Sequence, residues 1–267
     1  MSEEKKFVLI TGANGGMGKA FVSLLLERGY SVIGLDIVEG ENKDNLTFIK
    51  ADLTNYSSVE KAFDKVKEIT DNLYAIVHFA GIYALDSLVE ISSEKFEKVV
   101  KCNFFSAFNV NKAFSSLLSR GSKIIMITSE LAPLYPLPFT GLYGVSKSAL
   151  DKYAFSLKME LQLLGIYVSV LRAGAVDTNM LGVSTKALDD FCENTKLYSC
   201  NAKRFKKIVD RVEARKISPL KLAKKTYKIL EKKRPKFAYK INRNPLLLLL
   251  NALPKGFQFW VIKKILR

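Results

Sequence analysis

Seven short apolar runs punctuate the chain, at 7–10, 31–35, 46–51, 74–79, 123–128, 166–171 and, more briefly, 236–241. Between them, apolar residues recur at helical spacing over 17–28, 57–69, 92–118, 142–164, 203–212 and 218–231. The runs are too apolar to leave one face in water, so each must be covered on both sides. Strand–helix alternation of this kind predicts an α/β fold: a doubly wound, mainly parallel seven-stranded sheet between two helical layers. Ser92 or Ser93 is expected to cap the helix that follows. From 174 to 201 the periodicity lapses, which predicts a lid over a site. We read one domain over 1–242 and a separate tail over 243–267.

Charge is distributed unevenly. The net charge is +16, yet acids and bases nearly cancel as far as Ala202. The remaining segment holds about half of all Lys and Arg, against only Asp210, Glu213 and Glu231. Such asymmetry predicts an anionic partner: membrane lipid, an acidic carrier, a carboxylated substrate or nucleic acid. Cys102, Cys192 and Cys200 have no metal-ligand spacing and form no disulfide framework. With one histidine, His78, any site that needs two is excluded, and no metal is expected. The charged start, Met1 to Lys6, leads straight into the first strand, so a cytoplasmic protein without a signal peptide is expected.

Thr11-Gly12-Ala13-Asn14-Gly15-Gly16-Met17-Gly18 joins the first strand to the first helix. Glycines there let the backbone approach a pyrophosphate, which the helix N-terminus then binds. Asp36 ends the second strand, about 20 residues further on, where a carboxylate can hold the adenosine ribose. It would repel the extra phosphate of NADP, and no basic residue stands beside it, so NAD is expected over NADP. Tyr143 and Lys147 are four apart and share a helical face. A nearby ammonium is expected to lower the phenol pKa, so that Tyr143 exchanges a proton with a substrate oxygen. Ser129 closes the fifth strand, at the sheet end where ligands of such folds bind, and could hold that oxygen.

These features together resemble the short-chain dehydrogenase/reductase family. The matching residues are Thr11-Gly12-(three residues)-Gly16-Met17-Gly18, Asp36, Asp52, Ala80-Gly81, Asn103, Ser129, Tyr143-(three residues)-Lys147 and the stretch Arg172 to Thr178 that includes Val176. The resemblance implies a Rossmann-type fold, NAD(H)-dependent oxidoreduction at a CH–OH group, and assembly into dimers or tetramers. It implies that Asn103 binds a water linking Lys147 to solvent, and that Lys147 also holds the nicotinamide ribose. Asp52 and the Leu53 backbone would contact adenine. Ala80 and Gly81 would pack on the adenosine, and Thr178 would bond near the carboxamide or phosphates. Two positions depart from the family pattern. His78-Phe79 replaces two amides, which implies an altered local network with His78 satisfied inside its strand. Ala173 replaces a proline and is expected to loosen the turn into the lid.

The tail opens with Pro245 and five leucines, then interleaves Phe257, Phe259, Trp260 and Ile265 with Lys263, Lys264 and Arg267. Its apolar runs are too short to span a bilayer, which takes ~20 residues. It suits either an interfacial helix at a membrane surface or packing on its own or a neighbouring subunit, lining the substrate pocket. Either placement predicts a lipophilic substrate, and tails of this kind in the family resemble those of retinoid and steroid dehydrogenases. With Leu181, Val183, Leu188, Phe191 and Leu197 in the lid, a steroid- or bile-acid-like secondary alcohol or ketone is the leading expectation. Reduction of a 3-oxoacyl group on an acidic carrier or coenzyme A would use the basic segment for docking. A non-catalytic NAD-binding or membrane-peripheral scaffold would not need Ser129, Tyr143 and Lys147 together. No nucleic-acid motif accompanies the basic residues, so nucleic acid is not an expected partner.

Overall fold

The computed structural model describes residues 5–213 and 215–267, with side chains described outside 179–186 and 210–213. Its strands are β1 (Phe7–Thr11), β2 (Ser31–Asp36), β3 (Leu46–Lys50), β4 (Leu73–His78), β5 (Leu118–Ser129), β6 (Tyr167–Ala173) and β7 (Ala238–Ile241). They form one seven-stranded sheet in the order β3-β2-β1-β4-β5-β6-β7, parallel at every pairing. The chain steps outward from β1 to β3, then resumes on the other side of β1. That reversal opens a crevice beyond the carboxyl ends of β1 and β4, where ligands of such sheets bind.

The helices are α1 (Gly16–Glu27), α2 (Tyr56–Lys67), α3 (Ser93–Val100), α4 (Ser106–Phe114), α5 (Gly141–Leu161), α6 (Asn179–Asn194), α7 (Ser199–Glu213), α8 (Pro219–Leu230), α9 (Pro245–Ala252) and α10 (Lys255–Leu266). Successive strand residues point to opposite faces. Val8, Ile10, Val32 and Val77 pack with Phe21 and Leu25 of α1 and with Leu222 and Ile229 of α8. Their neighbours Leu9, Ile33 and Ile76 pack with Val59 of α2, Phe114 of α4 and Leu150 of α5. Both faces are therefore dry, as the unalternating apolar runs required. Ser92 caps α3 by accepting from the Lys95 backbone N–H, and Ser218 caps α8 ahead of Pro219.

Three stretches differ from expectation. The helix expected over 92–118 is interrupted by a π-helical turn, Lys101–Phe105, which buries Asn103, and ends in a 3-10 turn, Ser115–Leu117. A single wide turn scarcely disturbs the apolar period, so the sequence does not display it. β5 starts at Leu118 rather than 123, because Leu118 pairs with Leu73 ahead of an irregularity and a polar stretch. The segment over 174–201 is mostly helical, holding α6 and the start of α7. Asp189-Asp190 and the Gly182–Thr185 run mask its period, although Leu188 and Phe191 sit one turn apart and are buried. Leu197 is exposed, and the side chains of Leu181 and Val183 lie outside the described residues.

The tail forms α9 and α10. Leu266 of α10 joins a cluster with Phe205 of α7 and Leu188 of α6, so the tail's inner side packs on the chain itself. Leu246, Leu249, Phe259 and Trp260 stay exposed. No helix among the described residues is long and apolar enough to cross a membrane.

Candidate active site

β1 hands over to α1 through a glycine turn that leaves no room for a Cβ at Gly12 or Gly18. Gly12 adopts a left-handed φ of 67°, and a Cβ there would lie 2.7 Å from the Ala80 backbone nitrogen. A Cβ on Gly18 would collide with the Gly12 carbonyl oxygen. One on Gly16 would come within 3.0 Å of the Thr178 methyl. No side chain caps α1 at Gly15, so its first N–H groups are left for an anion.

Above this turn lies a groove of about 770 Å³ lined by Met17, Asp36, Asp52, Leu53, Ala80, Gly81 and Thr178. Asn14 ties the turn to the end of β2. Its backbone N–H donates to Asp36 Oδ2 at 2.9 Å, and its amide donates to the carbonyls of Val38 and Glu39. Asp52 Oδ1 accepts from the backbone and hydroxyl of Thr54, which fixes the loop after β3 along the groove. A glycine cradle, an open helix end and a carboxylate at the end of β2 fit a dinucleotide.

A second cavity, of about 200 Å³, contains Ser129, Tyr143, Lys147 and Val176. Met17, Phe79, Gly81, Ile82 and Thr178 line both spaces, so groove and pocket are continuous. Ser129 is the last residue of β5, while Tyr143 and Lys147 occupy the first two turns of α5. Burial pushes the Tyr143 phenol up to about 12; the Ser129 hydroxyl opposes that shift and the charge of Glu130 adds to it. This reverses the expected direction. Lys147 Nζ lies 5.9 Å from the phenol ring centroid, and desolvation of the buried phenolate sets the direction of the shift. Burial likewise lowers Lys147 to about 8, where Nζ donates to the Ile127 carbonyl at 3.3 Å.

Asn103 is held at both ends of its amide. Oδ1 accepts from the Ile82 N–H at 2.7 Å, and Nδ2 donates to the Ile82 carbonyl and to Ser146 Oγ. A Cβ on Gly81 would lie 2.9 Å from Asn103 Oδ1 and 3.2 Å from Lys147 Nζ, so only glycine lets these groups converge. His78 is buried, and desolvation lowers its pKa to about 4. As a neutral ring it donates from Nε2 to Asn111 Oδ1 at 2.9 Å and accepts at Nδ1 from Thr11, and Asn111 in turn donates to Tyr153. Phe79 packs on Phe21. Ala173 pairs with Ser129 and Ile241, and the next N–H, of Gly174, donates to the Ile241 carbonyl.

The structure adds residues that the sequence reading passed over. Glu130 follows Ser129 into the pocket, Tyr83 packs on Tyr143 at a tilt of 50° with centroids 4.8 Å apart, and Leu247 of α9 reaches the pocket wall. Glu130 left a sequence signal, as a charge at the end of an apolar strand, and Leu247 belongs to the leucine run already expected to line the pocket.

The pattern that defines the short chain dehydrogenase family matches residues 6–189. The chain belongs to that family, whose members are oxidoreductases acting on CH–OH groups. It is 32% identical over 196 residues to the NADPH-dependent 1-acyldihydroxyacetone phosphate reductase of Schizosaccharomyces pombe, a stretch covering 69% of this chain and 66% of the relative. It is 27% identical to the 3-ketodihydrosphingosine reductase of Bacteroides thetaiotaomicron, over 95% of this chain and 93% of that one. A crystal structure of a short chain dehydrogenase family protein from Francisella tularensis superposes with a TM-score of 0.75 at 26% identity, covering 89% of this chain and 97% of the other.

Proposed function

We propose that the protein interconverts a ketone and a secondary alcohol on a lipophilic, lipid-like substrate, with NAD(H) as the favoured cofactor. The observation that carries the reading is the shared pocket of Ser129, Tyr143 and Lys147, opening directly into the glycine groove. The nicotinamide cofactor supplies the hydride. Ser129 donates to the substrate oxygen and orients it. Tyr143, protonated at neutral pH because burial holds its pKa high, delivers the proton in the reductive direction. Lys147, with a water held by Asn103 near Gly81, is the route by which a proton returns to Tyr143.

Asp36 at the groove supports NAD over NADP, as its carboxylate would repel a ribose phosphate. Leu131, Leu137, Phe205 and Leu247 in the pocket wall support a lipophilic substrate. The fission-yeast and Bacteroides relatives are named as reductases of lipid ketones, which favours an open-chain lipid over a steroid- or bile-acid-like skeleton. Residues 174–201 act as the lid, and Leu247 of α9 adds to the pocket wall. Exposed Phe105, Phe108, Phe155 and Met159 on α4, α5 and the turn before α4 support a homo-oligomer, and the exposed apolar side of α9 and α10 supports contact with a membrane surface. The test offers purified protein NADH or NADPH with long-chain ketones and keto-steroids, following nicotinamide absorbance. Oxidation of NADH with a long-chain ketone is expected; no turnover with any ketone, or with the matching alcohols and NAD, overturns the reading.

A further inference from the structure

Glu130 stands where a negative charge hinders the reaction just described. It follows Ser129 directly, lines the same pocket as Tyr143 and is only 9% exposed. One carboxylate oxygen, Oε2, accepts from the Asn244 backbone N–H at 2.6 Å. The other, Oε1, lies beside Gly174, where a Cβ would approach it to 3.1 Å. Among the described residues Oε1 has no hydrogen-bond donor, and no Lys or Arg nitrogen comes within 4.0 Å of the carboxylate. No buried side-chain oxygen among those residues is sealed off without a partner, so Oε1 is accessible, and Glu130 lines the pocket.

A buried carboxylate with one backbone donor is costly. This one also disfavours the phenolate that Tyr143 becomes on giving up its proton. A cation in the pocket removes both penalties at once. The Asn244 N–H and the charge of Arg243 offset the burial of Glu130 only in part.

We propose that Glu130 forms a cation-recognition subsite beside the reacting carbonyl, and that the substrate is an amino ketone, or the matching amino alcohol, carrying its ammonium close to that carbon. The proposal rests on the reading of Ser129 and Tyr143 as the reacting centre. The ammonium donates to Oε1 while the carbonyl oxygen faces Ser129 and Tyr143. The amine thereby fixes which carbonyl is presented, and it neutralises the charge that opposes phenolate formation.

The test compares three long-chain ketones of equal length: a 2-amino-3-ketone, its N-acetyl derivative and the 3-ketone without nitrogen. Steady-state kcat/KM is measured for each on the wild-type protein and on Glu130→Gln. The wild type is expected to favour the free amine over both neutral ketones by roughly 10- to 100-fold, the range of one charge-assisted hydrogen bond. In Glu130→Gln that ratio collapses toward unity. A purely structural role for Glu130 lowers all three rates and leaves the ratio unmoved, which overturns the subsite. Equal wild-type rates on all three ketones overturn it without recourse to the variant, while leaving the ketone-reductase reading intact. Turnover of none of them overturns that reading and the subsite with it.

Discussion

Arg172 of β6 grips Asp151 of α5 through two bonds, Nε to Oδ1 at 3.0 Å and Nη2 to Oδ2 at 2.6 Å. Asp151 lies one helical turn beyond Lys147 and also accepts from Thr128 of β5. The pair is largely buried and pins the helix that carries Tyr143 and Lys147 to the sheet that carries Ser129. Replacing Asp151 by Ala strands a desolvated guanidinium. A loss of about 3–5 kcal/mol in unfolding free energy is expected, read by urea denaturation. Turnover is expected to fall in the fraction that remains folded.

His78 gives a stability change with pH. Its folded pKa is about 4, against 6.5 when exposed, so the unfolded chain binds the proton first. The stabilisation is complete above pH 6.5 and is lost as pH falls toward 4, amounting to about 3 kcal/mol. Thermal melts of wild type and His78→Gln across that window check it: the variant should show a shallower acid loss.

Cofactor choice is expected to follow Asp36. Replacing it by Ala removes the charge that faces a ribose phosphate and should shift the NADH-to-NADPH ratio of kcat/KM toward NADPH by about tenfold or more. Gly18→Ala is expected to impair binding of both cofactors, because its methyl would meet the Gly12 carbonyl. Steady-state rates with each nucleotide check the first effect, and titration of nucleotide fluorescence checks the second.

The tail is expected to associate with lipid. Leu246, Leu249, Phe259 and Trp260 are exposed, and residues 245–267 contain no acid. Flotation with vesicles containing anionic lipid should carry the protein upward, more weakly at high salt. Leu249→Gln combined with Trp260→Ala should abolish flotation. A self-association constant that weakens in the same variant, with no vesicle binding in the wild type, would assign the face to a second copy instead.

Much of this architecture was readable from the amino acids, for physical reasons. The strands β1, β2, β4 and β6 are buried on both faces, so their unbroken apolar runs announce them. Glycine at 12 and 18 reflects real steric closeness, which is why the turn could be picked out. The π turn around Asn103 was hidden because one extra residue hardly shifts a helical period. Helix α6 was hidden by its own poor helix formers. The direction of the Tyr143 shift was misjudged because spacing along a helix reveals proximity to Lys147 but not depth of burial. Glu130 acquires meaning only when the fold brings Asn244 and Gly174 against it.

The account depends above all on the phenol oxygen of Tyr143. The measurement is turnover of Tyr143→Phe alongside its binding of NADH. Loss of about 10²- to 10⁴-fold in kcat with nucleotide affinity intact is the predicted outcome. Near wild-type turnover in that variant, with the protein folded and cofactor bound, would contradict it.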